Sequence, residues 1–177
     1  MFRAAALIAV FIFGSQLEAQ TAIRFLEQPK AFALEAGPVS YFFGVNPRNE
    51  LQHIYWGKRL WRDADIPNAR TGQGWASFDL SPTTTPDEYP AWGGGRFYET
   101  CLKLTRADGG RDVVLKYVAH SIKGDTLEVT TKDMNDAIWV TLTYRVYPEG
   151  IVERRSARNI HRREVADALG RISEDSL

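Results

Sequence analysis

The sequence predicts an all-β fold, an antiparallel β-sandwich. Side chains alternate apolar and polar with period two through most of the chain, and turn-forming residues interrupt them at roughly twelve-residue intervals. The alternating stretches are rich in β-branched and aromatic residues, which suit a half-buried pleated surface.

The first strands are expected over 31–36, 38–46 and 50–57. A fourth is expected over 97–105, where Tyr98, Leu102 and Leu104 share one face and Glu99, Cys101 and Lys103 the other. Asp108-Gly109-Gly110 then turns the chain into a strand over 111–122, and Lys123-Gly124-Asp125 into one over 125–132, where Leu127 and Val129 alternate with Glu128 and Thr130. After Met134-Asn135-Asp136, residues 137–147 place Val140, Leu142, Tyr144 and Val146 on one face and Trp139, Thr141, Thr143 and Arg145 on the other. Pro148-Glu149-Gly150 leads into a last strand over 151–160. Residues 62–96, rich in Gly, Pro, Asp and Thr, form a connection long enough to suggest a function of its own. Near the C-terminus Val165, Leu169 and Ile172 offer a helical stripe, against which Gly170 counts.

With 44% hydrophobic and 25% charged residues, the 177-residue chain has the composition of an ordinary globular domain. Lys plus Arg and Asp plus Glu both number 22, so no basic excess invites nucleic acid. Neutral polar partners such as sugars fit this balance. Arg3 followed by the apolar run Ala4 to Gly14 and by Leu17-Glu18-Ala19 reads as a secretory signal peptide over 1–19, cleaved after Ala19. That run is too short to span a bilayer. The mature domain, 20–177, is therefore expected to be exported to the periplasm or the extracellular space, with no membrane partner. The single cysteine, Cys101, has no internal disulfide partner and reads as a packed thiol.

Few residues suggest chemistry. Asp87-Glu88, the one adjacent acidic pair in the long connection, reads as a solvated charge pair. His53, His120 and His161 lack the spacing of a metal site and read as strand residues with satisfied hydrogen bonds. No metal and no cofactor is expected. Trp61, Trp75 and Trp92 lie in or beside the long connection, where exposed rings could stack on a sugar, although cover for the sandwich core or for a domain interface is the favoured reading. Trp56 and Trp139 read as packing residues.

Several ordered motifs carry a resemblance: His53-Ile54-Tyr55-Trp56-Gly57-Lys58-Arg59-Leu60, Glu88-Tyr89-Pro90 through Phe97-Tyr98-Glu99, Lys116-Tyr117-Val118-Ala119-His120-Ser121-Ile122, Asp133 to Tyr147 and Val152 to Arg158. In this order over residues 31–173 they resemble the beginning of a family 36 glycoside hydrolase. Arg96-Phe97-Tyr98 departs from that family's Asp-Phe-Arg, and a Gly- and Pro-rich insert after the His120 strand is missing. The resemblance implies an N-terminal β-supersandwich of the galactose-mutarotase type, followed in the family by a (β/α)8 barrel. It implies retaining hydrolysis of terminal α-galactosides by two carboxylates borne on that barrel. No catalytic residue is assigned in this chain, which lies ahead of any such barrel. The resemblance also implies that a loop of this domain lines a neighbouring subunit's site, which makes Trp92 and Arg96 the candidate sugar contacts. A free-standing carbohydrate-binding module and a structural domain that docks on a separate barrel are the alternatives. With sheet edges unpaired, the domain alone is expected to be poorly soluble or oligomeric.

Overall fold

The computed structural model describes residues 21–71, 86–95 and 99–160. Among these residues there are eight strands, β1 (Ala22–Leu26), β2 (Ala31–Ala36), β3 (Val39–Val45), β4 (Leu51–Lys58), β5 (Leu115–Lys123), β6 (Thr126–Asp133), β7 (Ile138–Tyr147) and β8 (Ile151–Ile160). They form two four-stranded antiparallel sheets, ordered β1-β2-β3-β4 and β5-β6-β7-β8. Each sheet is a meander of sequential hairpins, as the alternating pattern and short turns predict. At the two-residue turn between β5 and β6, Gly124 takes φ +60°, where a side chain would be strained.

β1 was not anticipated. It is five residues long, and its register sets Ile23 opposite Leu34 and Phe25 opposite Phe32. β5 begins at Leu115 rather than residue 111, because the two preceding amides are engaged elsewhere. Val113 N–H donates to the Trp92 carbonyl (2.9 Å) and Val114 N–H to Asp133 Oδ1 (2.7 Å). The strand expected over 97–105 does not form across 99–105. That segment makes one isolated parallel bridge, Leu102 to Ala91. The C-terminal stretch with Val165, Leu169 and Ile172, where strands are favoured over a helical stripe, lies outside the described residues, as do the expected signal peptide and His161.

The main core lies between the sheets. Phe32 stacks on Phe43 and Phe43 on Tyr144, both at 4.7 Å between ring centres, and Leu127, Val129, Val140 and Leu142 close it from the second sheet. The second sheet keeps the expected alternation, with Val140, Leu142, Tyr144 and Val146 buried inward. Trp139 faces outward, half-buried under Lys132, whose ammonium lies 5.2 Å from the ring centre.

The inner strands of the first sheet are buried on both faces, and all six residues of β2 are buried. Its outer face carries Ala33 and Phe42, which Ile66 and Leu60 cover. The start of the long connection is therefore a strap rather than a free loop. Arg24 holds it through a two-pronged pair with Asp63 (2.9 and 3.0 Å). Leu60 N–H also donates to Ser40 Oγ (3.0 Å), whose hydroxyl donates to buried Glu35 (2.9 Å). Residues 72–85 of that connection, with Trp75, lie outside the described residues.

Candidate functional site

Where the long connection returns along the edge of β4, Pro86 to Glu88 lie beside that strand. His53 N–H donates to the Pro86 carbonyl (2.9 Å) and Glu88 N–H to the Leu51 carbonyl (3.0 Å). This seating turns the Glu88 side chain inward, where it is 1% exposed. The sequence reading of Asp87-Glu88 as a solvated pair is thus overturned for Glu88: the acid is the centre of a buried polar cluster. Tyr41 Oη donates to both its oxygens (2.7 and 2.8 Å), and Tyr144 Oη donates to Oε1 (2.8 Å). Arg154 Nη1 lies 3.1 Å from Oε1 and also donates to the Glu88 carbonyl. His53 Nδ1 sits 3.4 Å from Oε2. Tyr41 and His53 belong to the first sheet, Tyr144 and Arg154 to the second. One carboxylate therefore ties both sheets to the connection between them.

Burial, followed by the negative charge and hydrogen bonding of Glu88, raises the Tyr41 phenol well above its ordinary value of 10.0. Burial, then Glu88 and Tyr41, does the same to Tyr144. Burial pulls the Arg154 guanidinium down, but Glu88 and the two tyrosines outweigh it and leave that group raised. For both phenols the folded value exceeds the unfolded one. Their contribution to stability is full below pH 10.0 and is lost as pH rises beyond it, at about 1.4 kcal/mol per group per pH unit. In an alkaline titration followed by tyrosinate absorbance, Tyr41 and Tyr144 should ionise only together with unfolding. In Tyr41→Phe one fewer such group should appear.

Chemically, the cluster is a clamp. Both Glu88 oxygens are occupied by donors and sealed from solvent, so neither can reach an incoming substrate.

Trp92 is half-buried at a junction of three segments. Its N–H donates to the Leu102 carbonyl (3.0 Å), and its own carbonyl accepts from Val113. The next residues turn sharply, with Gly94 N–H donating to Asp112 Oδ1 (2.7 Å). Arg96, the other candidate sugar contact, lies outside the described residues. Two further sequence readings are corrected. Cys101 is exposed rather than packed, because Leu102 takes the inward position and turns Cys101 toward solvent, with Arg154 Nη2 3.9 Å from its sulfur. Trp56 is 73% exposed rather than packed. It pairs across the ladder with Tyr41 near the end of β4, itself the edge strand of its sheet. Trp61 is 76% exposed, with the Arg59 guanidinium 4.8 Å from its ring centre. His53 and His120 are strand residues with polar partners, His120 Nδ1 lying 2.7 Å from Tyr117 Oη.

The family model described as the glycosyl hydrolase family 36 N-terminal domain matches residues 49–172. That range runs from the β3–β4 turn through the Glu88 clamp and the whole second sheet. This chain belongs to that family. Among curated members, it is 28% identical over 163 residues to the alpha-galactosidase AgaA of Geobacillus stearothermophilus, a match covering 74% of this chain and 22% of that protein. It is 25% identical over 163 residues to the bifunctional alpha-galactosidase/sucrose kinase AgaSK of Mediterraneibacter gnavus, covering 77% of this chain and 17% of that protein. Among solved structures, the family 36 alpha-galactosidase AgaB of Geobacillus stearothermophilus superimposes with a TM-score of 0.66 at 25% identity, over 78% of this chain and 22% of that one. The alpha-galactosidase of Lactobacillus brevis shares the fold at the same TM-score and 21% identity, covering 77% of this chain and 22% of that one. This family 36 N-terminal domain therefore spans about a fifth of the length of its relatives, and it is made of two antiparallel sheets.

Proposed function

We propose that this chain is the non-catalytic N-terminal β-sandwich of an exported α-galactosidase, the parent enzyme hydrolysing terminal α-galactosides on a barrel that this domain supports. The observation that carries the reading is the family match over 49–172 on a domain whose sealed carboxylate Glu88 is committed to structure. Crystal structures of AgaA variants from Geobacillus stearothermophilus are in complex with raffinose and with stachyose. Substrates of that class are the ones we assign to the parent enzyme. The exposed rings of Trp56 and Trp61 supply surface for the barrel or a neighbouring subunit. Trp92 and Arg96 are the residues we propose for sugar contact in the assembled enzyme, and residues 1–19 the signal that exports it.

A carbohydrate-binding module is the second reading, favoured by the same two exposed tryptophans. The test has two arms. The purified chain should release no nitrophenol from p-nitrophenyl α-galactoside, and antibodies against it should detect a polypeptide much larger than 20.0 kDa in the source cells. Galactose release by the chain itself would end the proposal. A 20.0 kDa product that binds a glycan array would transfer the assignment to the binding module.

A further inference from the structure

Four strands end a sheet, β1 and β4 in the first and β5 and β8 in the second. The outward side of such a strand carries a row of unpaired N–H and C=O groups, a template for a further strand. Three of the four are guarded. β1 is only five residues long. Along β4, His53 N–H and the Leu51 carbonyl are bonded to Pro86 and Glu88. β5 carries a bulge between Tyr117 and Ala119, and its Tyr117 N–H donates to the Asn49 carbonyl (2.8 Å). β8 has none of these devices. It runs ten residues in unbroken register with β7 and contains no proline. Among the described residues, nothing bonds its outward backbone.

The side chains of β8 limit what can pair there. Arg154, Ser156 and Arg158 share one face, Glu153 and Arg155 the other. Arg154 is committed to Glu88, and Arg155 to Glu153 (2.8 Å). Arg158 is exposed and has no ion pair among the described residues. It lines a cleft of about 410 Å³ beside the strand, together with Tyr89, Leu102, Lys103 and Ser156. That lining holds two bases and no acid. Lys103 Nζ does meet Glu99 (2.8 Å), but both side chains are exposed, and such a pair is readily exchanged.

A second copy of this chain is a poor match. Antiparallel pairing about a two-fold axis sets like faces together. In the two registers of fullest overlap, Arg155 then faces its own copy or Arg154 faces Arg158. Like charges directly opposite each other destabilise a ladder. Counter-charge is what this edge lacks. We infer that β8 accepts an extended acidic polypeptide segment as a fifth strand of the second sheet, its carboxylates directed into the cleft at Arg158 and Lys103. Main-chain bonds supply the affinity of such a contact, and the two bases select the partner.

The docking goes beyond the α-galactosidase reading and is tested without any sugar. The probe is a blocked peptide alternating glutamate and valine, added to the full chain and followed by amide hydrogen exchange. In the free chain, alternate amides of β8 should exchange fast, and the peptide should slow them saturably. Glutamine in place of glutamate should weaken binding about tenfold, and lysine should abolish it. About 0.5 M sodium chloride should weaken the acidic peptide most. Arg158→Gln and Lys103→Gln change exposed side chains, so the fold survives, and each should reduce the preference for glutamate over glutamine. Slow exchange along the whole of β8 before any peptide is added would mean that the edge is already covered, and the inference fails. It fails equally if protection grows with chain concentration alone, the mark of a second copy. No protection by the acidic peptide, equal protection by the lysine peptide, or an unchanged preference in both variants also overturns it.

Discussion

Replacing Glu88 with alanine should destabilise the chain by about 3–5 kcal/mol, the cost of removing one partner from a buried ionic cluster. The loss has named components. The Tyr144 hydroxyl, fully buried, loses its acceptor, as does the Tyr41 hydroxyl from the opposite sheet. The Arg154 guanidinium, a third exposed, keeps a water-facing side but loses its counter-charge. Each stranded polar group costs about 1–3 kcal/mol, and because they share one acceptor their costs do not simply add. Glu88→Gln should lose less, since it keeps one acceptor oxygen for the tyrosines while giving up the charge that faces Arg154. Urea unfolding followed by circular dichroism measures both. A shift for Glu88→Ala below about 1 kcal/mol, the range of exposed ion pairs, would show that the two sheets are held without the clamp.

Gly93→Ala should be nearly as damaging, at about 3 kcal/mol or more, through backbone geometry alone. Gly93 takes φ +149°, and a Cβ built there would lie 2.3 Å from the Val113 nitrogen and 2.7 Å from its oxygen. Both obstacles are main chain, so no side-chain rotation relieves them. The added methyl strains the residue by about 1–3 kcal/mol. It also pushes apart the Val113 N–H and Trp92 carbonyl, a further loss of about 1 kcal/mol. Gly109→Ala is the matched control: its φ is +85°, yet nothing lies within 4 Å of the added carbon. It should cost only about 1 kcal/mol, the conformational penalty by itself. Melting temperature and tryptophan emission separate the two, because only Gly93→Ala disturbs the seat of Trp92.

The second sheet was legible in the sequence because its central strands, β6 and β7, are buried on one side only. Val140, Leu142, Tyr144 and Val146 alternate with solvated residues, so period and register are written together. β2 could be found as a strand, although its faces could not be told apart, since the strap buries the second one. β1 escaped notice because five residues give little periodicity, although Ile23 and Phe25 alternate with Arg24 ahead of the Pro29 turn. Glu88 was misread for a different reason. Its neighbours in sequence are turn-formers and another acid, while its partners lie 35 residues upstream in the case of His53 and 66 downstream in the case of Arg154. Local composition cannot report a burial that is decided at such distances. The same holds for Cys101, whose alternation was read correctly but whose face depended on where Leu102 docked.

The meander topology also fixes an order of assembly. Within each sheet every strand pairs with its immediate neighbour in the chain, so both ladders can zip up through short hairpins. The Glu88 contacts with Tyr41, Tyr144 and Arg154 bridge 47, 56 and 66 residues, and they form only once both ladders meet. Interactions that arrive after the rate-limiting step leave the speed of folding alone and lengthen the dwell time of the finished state. In stopped-flow experiments, a chain without this carboxylate should fold about as fast as the parent and come apart sooner.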